Sequence, residues 1–228
     1  MTRRSQDGWI WGLLPLMGLA LFLNFVASPD DRVLGPSQRI FYFHMATATA
    51  AGVAFTVTAG ASILYLATRN LRFDAFAAAS AEIGTVFTSM LLVTGILWGR
   101  AAWGVWWTWD PRLTATVILW VVFMAYLMIR GWTESRERRA RTAAVLALAA
   151  YVDVPIDYMT IRWWKSIHPV VITTHGIHMA PSMVWAMFVS MAAMLGIYAA
   201  WMQLRLRLIR VEMGLDRVKQ HLKDKLEG

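Results

Sequence analysis

Four of seven residues are tryptophan in the stretch Trp103-Gly-Val-Trp106-Trp107-Thr-Trp109. An indole is a rigid, flat and largely apolar plate, so this glycine-broken density suits a stacking surface for a large planar ligand. A membrane-interface belt accounts for the scattered Trp9, Trp132 and Trp201 but requires no such cluster. Asp110-Pro111 follows directly, ahead of an apolar run. That order is a helix-start signal, with Asp110 as the cap and Pro111 at the first helical position. Such a helix aims its free N–H groups and partial positive charge at the tryptophans, a setting for an anionic group. Histidines supply the other chemistry. His44 ends the run Arg39-Ile-Phe-Tyr-Phe-His44, and His168 ends Trp163-Trp164-Lys-Ser-Ile-His168. Imidazole is a common ligand of metal ions, haem iron among them. His175 and His178 follow closely, and spacing alone does not choose the second ligand among these three. Arg100, Arg112 and Arg39 lie near the same motifs, and a guanidinium fork holds a carboxylate through two parallel hydrogen bonds.

The elements that must position these groups are membrane helices. The chain has 228 residues, 58% hydrophobic and 16% charged. Soluble domains carry about 45–50% apolar and about 25% charged residues. Charge-free stretches between Asp7 and Asp30, Arg39 and Arg69, and Lys165 and Arg205 are each long enough to cross a bilayer, and shorter ones lie between them. They predict an all-α polytopic bundle of six spans, near 9–27, 45–67, 75–98, 112–130, 142–159 and 178–204. Val26-Ala27-Ser28 resembles a signal-peptidase site, but the apolar run before it exceeds a usual signal core, so the first span is expected to be retained. Sixteen of the 22 basic residues fall in the N-terminus, the second and fourth loops and the tail. The positive-inside rule then puts both termini in the cytoplasm and the Trp-rich loop, 98–114, on the opposite face with His44 and His168. Residues 1–204 form the membrane domain in this reading, and 205–228 a cytoplasmic tail. There Leu204, Leu208, Val211, Leu215, Val218 and Leu222 make one apolar stripe, suited to anionic lipid or to a partner.

Several classes are excluded. With no cysteine, disulfides, thiolate metal sites, iron–sulfur clusters and Cys-linked haem are ruled out. The formal charge of +8 reports cytoplasmic loops rather than nucleic-acid binding. No P-loop sequence is present, so ATP hydrolysis by that device is absent.

Trp103-Gly-x-Trp106-Trp107-x-Trp109-Asp110-x-Arg112-Leu-Thr resembles the WWD signature of haem-handling membrane proteins, and the chain as a whole resembles the cytochrome c maturation family CcmC. The likeness includes Ile83-Gly-x-Val-Phe-Thr, Leu92-Val-Thr-Gly, and Pro155 through Trp163-Trp164-x-x-x-His168. It implies a bacterial inner-membrane protein holding haem b non-covalently on its periplasmic face, with His44 and His168 as axial ligands. It further implies delivery to the haem chaperone CcmE, beside the ABC-type pair CcmA and CcmB and the small protein CcmD, with no catalysis of its own. Propionates would fall to Arg112, Arg100 and Arg39. Two other readings are a WWD-type cytochrome c synthase subunit and a cytochrome b-like electron-transfer subunit. The latter usually holds its ligands within facing helices, and no such midplane histidine pair occurs here.

Overall fold

The computed structural model describes residues 7–227 apart from 134, 165, 167, 169–171, 174, 175 and 178; for 172, 173, 177, 216, 217, 220, 221, 224 and 227 it describes the backbone only. His175 and His178, the alternative second ligands, lie outside the described residues. The protein is an all-α membrane bundle with six helices long and apolar enough to cross a bilayer. The first span joins α1 (Gly8–Trp11), α2 (Leu13–Phe22) and a π turn at Leu23–Ala27. Then come α3 (Gln38–Thr68), α4 (Leu71–Trp103), α5 (Pro111–Trp132), α6 (Arg136–Tyr151), α7 (Asp153–Trp163) and α8 (Pro181–Glu227). A two-stranded antiparallel hairpin, β1 (Ile172–Thr173) and β2 (Gly176–Ile177), precedes α8.

The helices α4 and α5 are longer than their charge-free stretches because their ends are fixed by caps rather than by hydropathy. The Asn70 side chain accepts from Arg72 N at 3.0 Å to start α4, and Gly104, at φ 75°, ends it. The fifth span is broken at Val152. Pro155 lacks the N–H that would bond the carbonyl four residues back, at Tyr151, and its ring crowds that carbonyl. The break separates α6 from α7, and α7 packs against α5 and α6 while standing away from α3. α8 instead runs unbroken through 204 for 47 residues, about 70 Å at the helical rise, against a hydrocarbon core of about 30 Å. The apolar stripe of its tail, Leu204 to Leu222, is exposed.

Packing centres on α3, which contacts α4, α6 and α8. Lipid gives helices no hydrophobic reason to associate, so small residues that let backbones approach carry the interface. Ala46, Ala50 and Ala54 of α3 and Ala77, Ala78 and Ala81 of α4 are buried. A Cβ at Gly84 would come within 2.8 Å of Phe55 Cε1, so only glycine fits that approach. Phe55 stacks on Phe123 with ring centroids 3.8 Å apart. Polar bonds add to this: Asn24 Nδ2 donates to Ser190 Oγ at 3.0 Å, both buried. One end of the bundle is tied by paired charges. Arg130 donates to both Asp74 oxygens at 2.5 and 3.0 Å, Arg205 to Glu82 at 2.5 and 3.0 Å, and Arg207 to Asp7 at 2.9 and 2.6 Å. The tryptophan loop and both described candidate histidines lie at the other end.

Candidate functional site

The site is assembled around the start of α5. Asp110 caps this helix, its Oδ1 accepting from Arg112 N at 2.9 Å with Pro111 in the first turn. The same Oδ1 lies 3.5 Å from His168 Nδ1, with both side chains buried. Ser166 Oγ is 3.1 Å from that ring nitrogen and also accepts from His168 N at 3.1 Å. Burial, and next the Arg112 guanidinium, hold His168 well below the ordinary imidazole range, at about 4, against the opposing pull of Asp110. The ring is therefore neutral near pH 7. With its proton on Nδ1, toward the Asp110 carboxylate, the ring keeps a lone pair on Nε2.

His44 is prepared in a matching way on a different element. It lies two turns inside α3, deeper than the helix mouth the sequence suggests. Its Nδ1 is 3.1 Å from Thr94 Oγ1, and that hydroxyl donates its single proton to Met90 O at 2.8 Å. The hydroxyl must then accept from His44 Nδ1–H, which again leaves Nε2 free. Gly95 makes room: a Cβ there would stand 3.1 Å from His44 Cε1. Trp98, fully buried, lies 5.5 Å from the His44 ring and 4.9 Å from Trp103, which meets His168 edge-on at 5.6 Å. A file of rings thus runs from His44 through Trp98 and Trp103 to His168.

His44, His168 and Arg112 line one mostly apolar cavity of about 540 Å³, together with Thr116 and Asp157. That volume falls within the span of small-molecule and cofactor sites, about 300–1,000 Å³. Thr116 Oγ1 bonds Asp157 Oδ1 at 3.0 Å in the wall. The other predicted residues stand apart from this cavity. Trp107 meets Trp109 edge-on at 5.6 Å; Trp106 and Trp109 are 58% and 77% exposed, so the four indoles of the motif do not form one flat face. Trp106 and Trp107, with Trp103, instead border a narrow crevice on another side of His168. Arg100 donates to Gly104 O at the end of α4 and sits over Trp106 at 5.6 Å. Arg39 pairs with Asp30 at 3.0 Å. Thr94, Gly95, Thr116 and Asp157 join the site without having been singled out individually from the sequence. Thr94 and Gly95 do belong to Leu92-Val-Thr-Gly, and the only signal for Asp157 is a charge inside an apolar span.

Two imidazoles with free Nε2 atoms can supply two ligands to a metal ion, the number that a planar metallated macrocycle leaves to the protein. Among the described residues no group of three or more His, Cys, Asp or Glu could hold a metal ion. Arg112 is placed for an anionic edge of such a ring. The donor set therefore fits a metallated macrocycle.

These features define a multi-pass membrane protein with a two-histidine cavity beneath a tryptophan-rich loop. The chain belongs to the CcmC family, described as Heme exporter protein C, which it matches over residues 3–221. It is 35% identical over 153 residues to the Heme exporter protein C of Bradyrhizobium diazoefficiens, covering 67% of this chain and 58% of that protein. Against the Escherichia coli K12 protein of the same name it is 33% identical over 161 residues, 71% of this chain and 61% of the relative. A putative cytochrome c biosynthesis ccmC-like mitochondrial protein of Marchantia polymorpha is 29% identical over 214 residues, 93% and 90% of the two chains. The alignments with the two bacterial relatives span about three fifths of those proteins' length.

Proposed function

We propose that the protein carries haem b for the biogenesis of c-type cytochromes, holding the iron between His44 and His168 and passing the haem on without chemical change. The observation that carries this reading is the single cavity lined by two imidazoles whose Nδ1 atoms are both engaged by neighbours. Family membership supports the export role, since relatives bear the name Heme exporter protein C. His44 and His168 would hold the haem iron and Arg112 a propionate, with ring contacts from Trp98 and Trp103 behind the histidines. Without cysteine no thioether bond to the haem can form.

The excess of basic residues in the termini and the second and fourth loops supports a site on the periplasmic face of a bacterial inner membrane, with both termini in the cytoplasm. The recipient is the haem chaperone CcmE, and CcmA, CcmB and CcmD complete the assembly. Purified protein reconstituted with ferric haem tests the reading. A six-coordinate low-spin spectrum, extractable by acid acetone and lost in both His44→Ala and His168→Ala, is expected. A high-spin spectrum indifferent to both substitutions overturns it. Retention in His168→Ala with loss in His175→Ala or His178→Ala would reassign the second ligand.

A further inference from the structure

The cavity is far deeper than a two-histidine clamp requires. Its α3 wall descends one helix face, Met45, Ala48, Thr49, Gly52 and Thr56, about 18 Å below His44 at the helical rise. Below Met45 this face is built of small side chains, and a Cβ at Gly52 would meet nothing within 4 Å. The opposite wall is α7, with Val154, Pro155 and Tyr158. At the inner end Thr56 Oγ1 and Tyr151 Oη lie 3.2 Å apart, a hydrogen bond across the floor. No such bond between described residues joins α3 to α7 along the side, because the break at Val152 carries α7 away from α3. The residues at that edge, Val53, Thr56, Pro155 and Tyr158, are exposed at the depth of the membrane spans. Arg162 stacks over the Tyr158 ring at 4.5 Å and donates to Tyr158 Oη at 3.1 Å, fixing one jamb of the opening.

We propose that the ligand reaches the histidine pair sideways from the bilayer, through the slit between α3 and α7, rather than through the bundle from its other end. This rests on the haem reading above and adds a route to it. The slit admits a planar, largely apolar molecule already dissolved in lipid. Edge-on entry slides such a ring along the small-residue face of α3, with its anionic edge turned toward Arg112. The floor bond and the tight α3–α4 packing below it offer no comparable opening toward the charged end.

The test follows haem transfer from haem-loaded phosphatidylcholine vesicles into the full-length protein in nanodiscs, read by the shift of the Soret band. Val53→Trp, which narrows the mouth without touching either histidine, should slow uptake about tenfold while leaving the final spectrum unchanged. Tyr158→Ala, which widens it, should speed both uptake and loss by a similar factor, so that affinity hardly moves. Ile63→Trp, at an exposed position on the same helix outside the cavity lining, should match the unmodified protein. Unchanged rates in both mouth variants, with the low-spin spectrum intact, overturn the lateral route and leave the site standing. Should Val53→Trp fold poorly, the rates of Tyr158→Ala decide alone. If the unmodified protein never develops the spectrum, the site reading fails and the route falls with it.

Discussion

Asp110 performs two tasks that a pair of substitutions separates. Its carboxylate caps α5 and also faces His168 Nδ1. Asparagine caps as well as aspartate, so Asp110→Asn keeps the bond from Arg112 N. It removes the charge beside the ring, however, and the neutral amide oxygen left there is a weaker acceptor for Nδ1–H, which makes Nε2, the atom needed for the metal, a poorer ligand. Groups that hold the outer nitrogen of a ligating histidine are typically worth about 10–100-fold in metal affinity, about 1.4–2.7 kcal/mol. Asp110→Ala loses the cap too, at a further cost of about 1 kcal/mol to the protein's own stability.

The expected pattern is therefore asymmetric. In haem titrations both variants should weaken binding about 10–100-fold. In thermal unfolding of the ligand-free protein in detergent, Asp110→Ala should melt lower while Asp110→Asn should match the unmodified chain. Full haem affinity in Asp110→Asn would refute the argument, because Asp110 would then be a cap and nothing more. Equal destabilisation by both variants would show that the side chain acts through its charge on the fold rather than through the cap bond.

Other substitutions probe the remaining parts. Arg112→Ala should weaken haem markedly and haem dimethyl ester much less, whereas equal weakening would place Arg112 in the fold of the loop rather than against a propionate. Thr94→Val keeps the shape beside His44 but removes the acceptor of its Nδ1–H, and should lower haem affinity about tenfold with little effect on melting. Asp74→Asn leaves the largely buried Arg130 guanidinium without its paired charge and should destabilise by about 3 kcal/mol in chemical or thermal unfolding, with the double change Asp74→Leu and Arg130→Leu recovering most of it. Reporter fusions active only in the periplasm should work near residues 34 and 104 and fail near 70, 136 and 220; activity at 136 would invert the assigned orientation.

What could be read from the sequence divides along a physical line. Hydropathy and capping act over a turn or two, so the six spans and the start of α5 at Asp110-Pro111 were legible, while which histidine joins His44 was not. Side-chain destinations depend on neighbours far along the chain. Arg39 and Arg100 carry the same charge and stand as near the motif as Arg112, yet Asp30 and the Gly104 carbonyl hold the first two elsewhere. Nothing in local spacing distinguishes them. Tryptophan density indicated an aromatic surface but not which indoles face inward. Trp98 and Trp103 do: Trp98 follows by one turn Gly95, which faces His44 of α3, and Trp103 packs on Trp98, whereas Trp106 and Trp109 follow the helix end at Gly104 and lie on the loop.

The slit shows how one residue can set a function at a distance without touching a ligand's reactive centre. Pro155 was visible in the sequence as part of a motif, but its consequence needs the whole bundle. A continuous fifth span would run on from α6, which packs against α3, and lay its later turns along the small-residue face of α3, closing the cavity as a conventional helix interface. Breaking the helix at Val152 keeps α6 in place and releases α7, so the space that alanine, glycine and threonine would otherwise offer to another helix stays open to lipid. Small residues on a membrane helix ordinarily mark a contact with a neighbour. Ala48 and Gly52 mark instead the absence of one, and it is that absence, beside two imidazoles with free Nε2 atoms, that makes the cavity a place for a flat molecule.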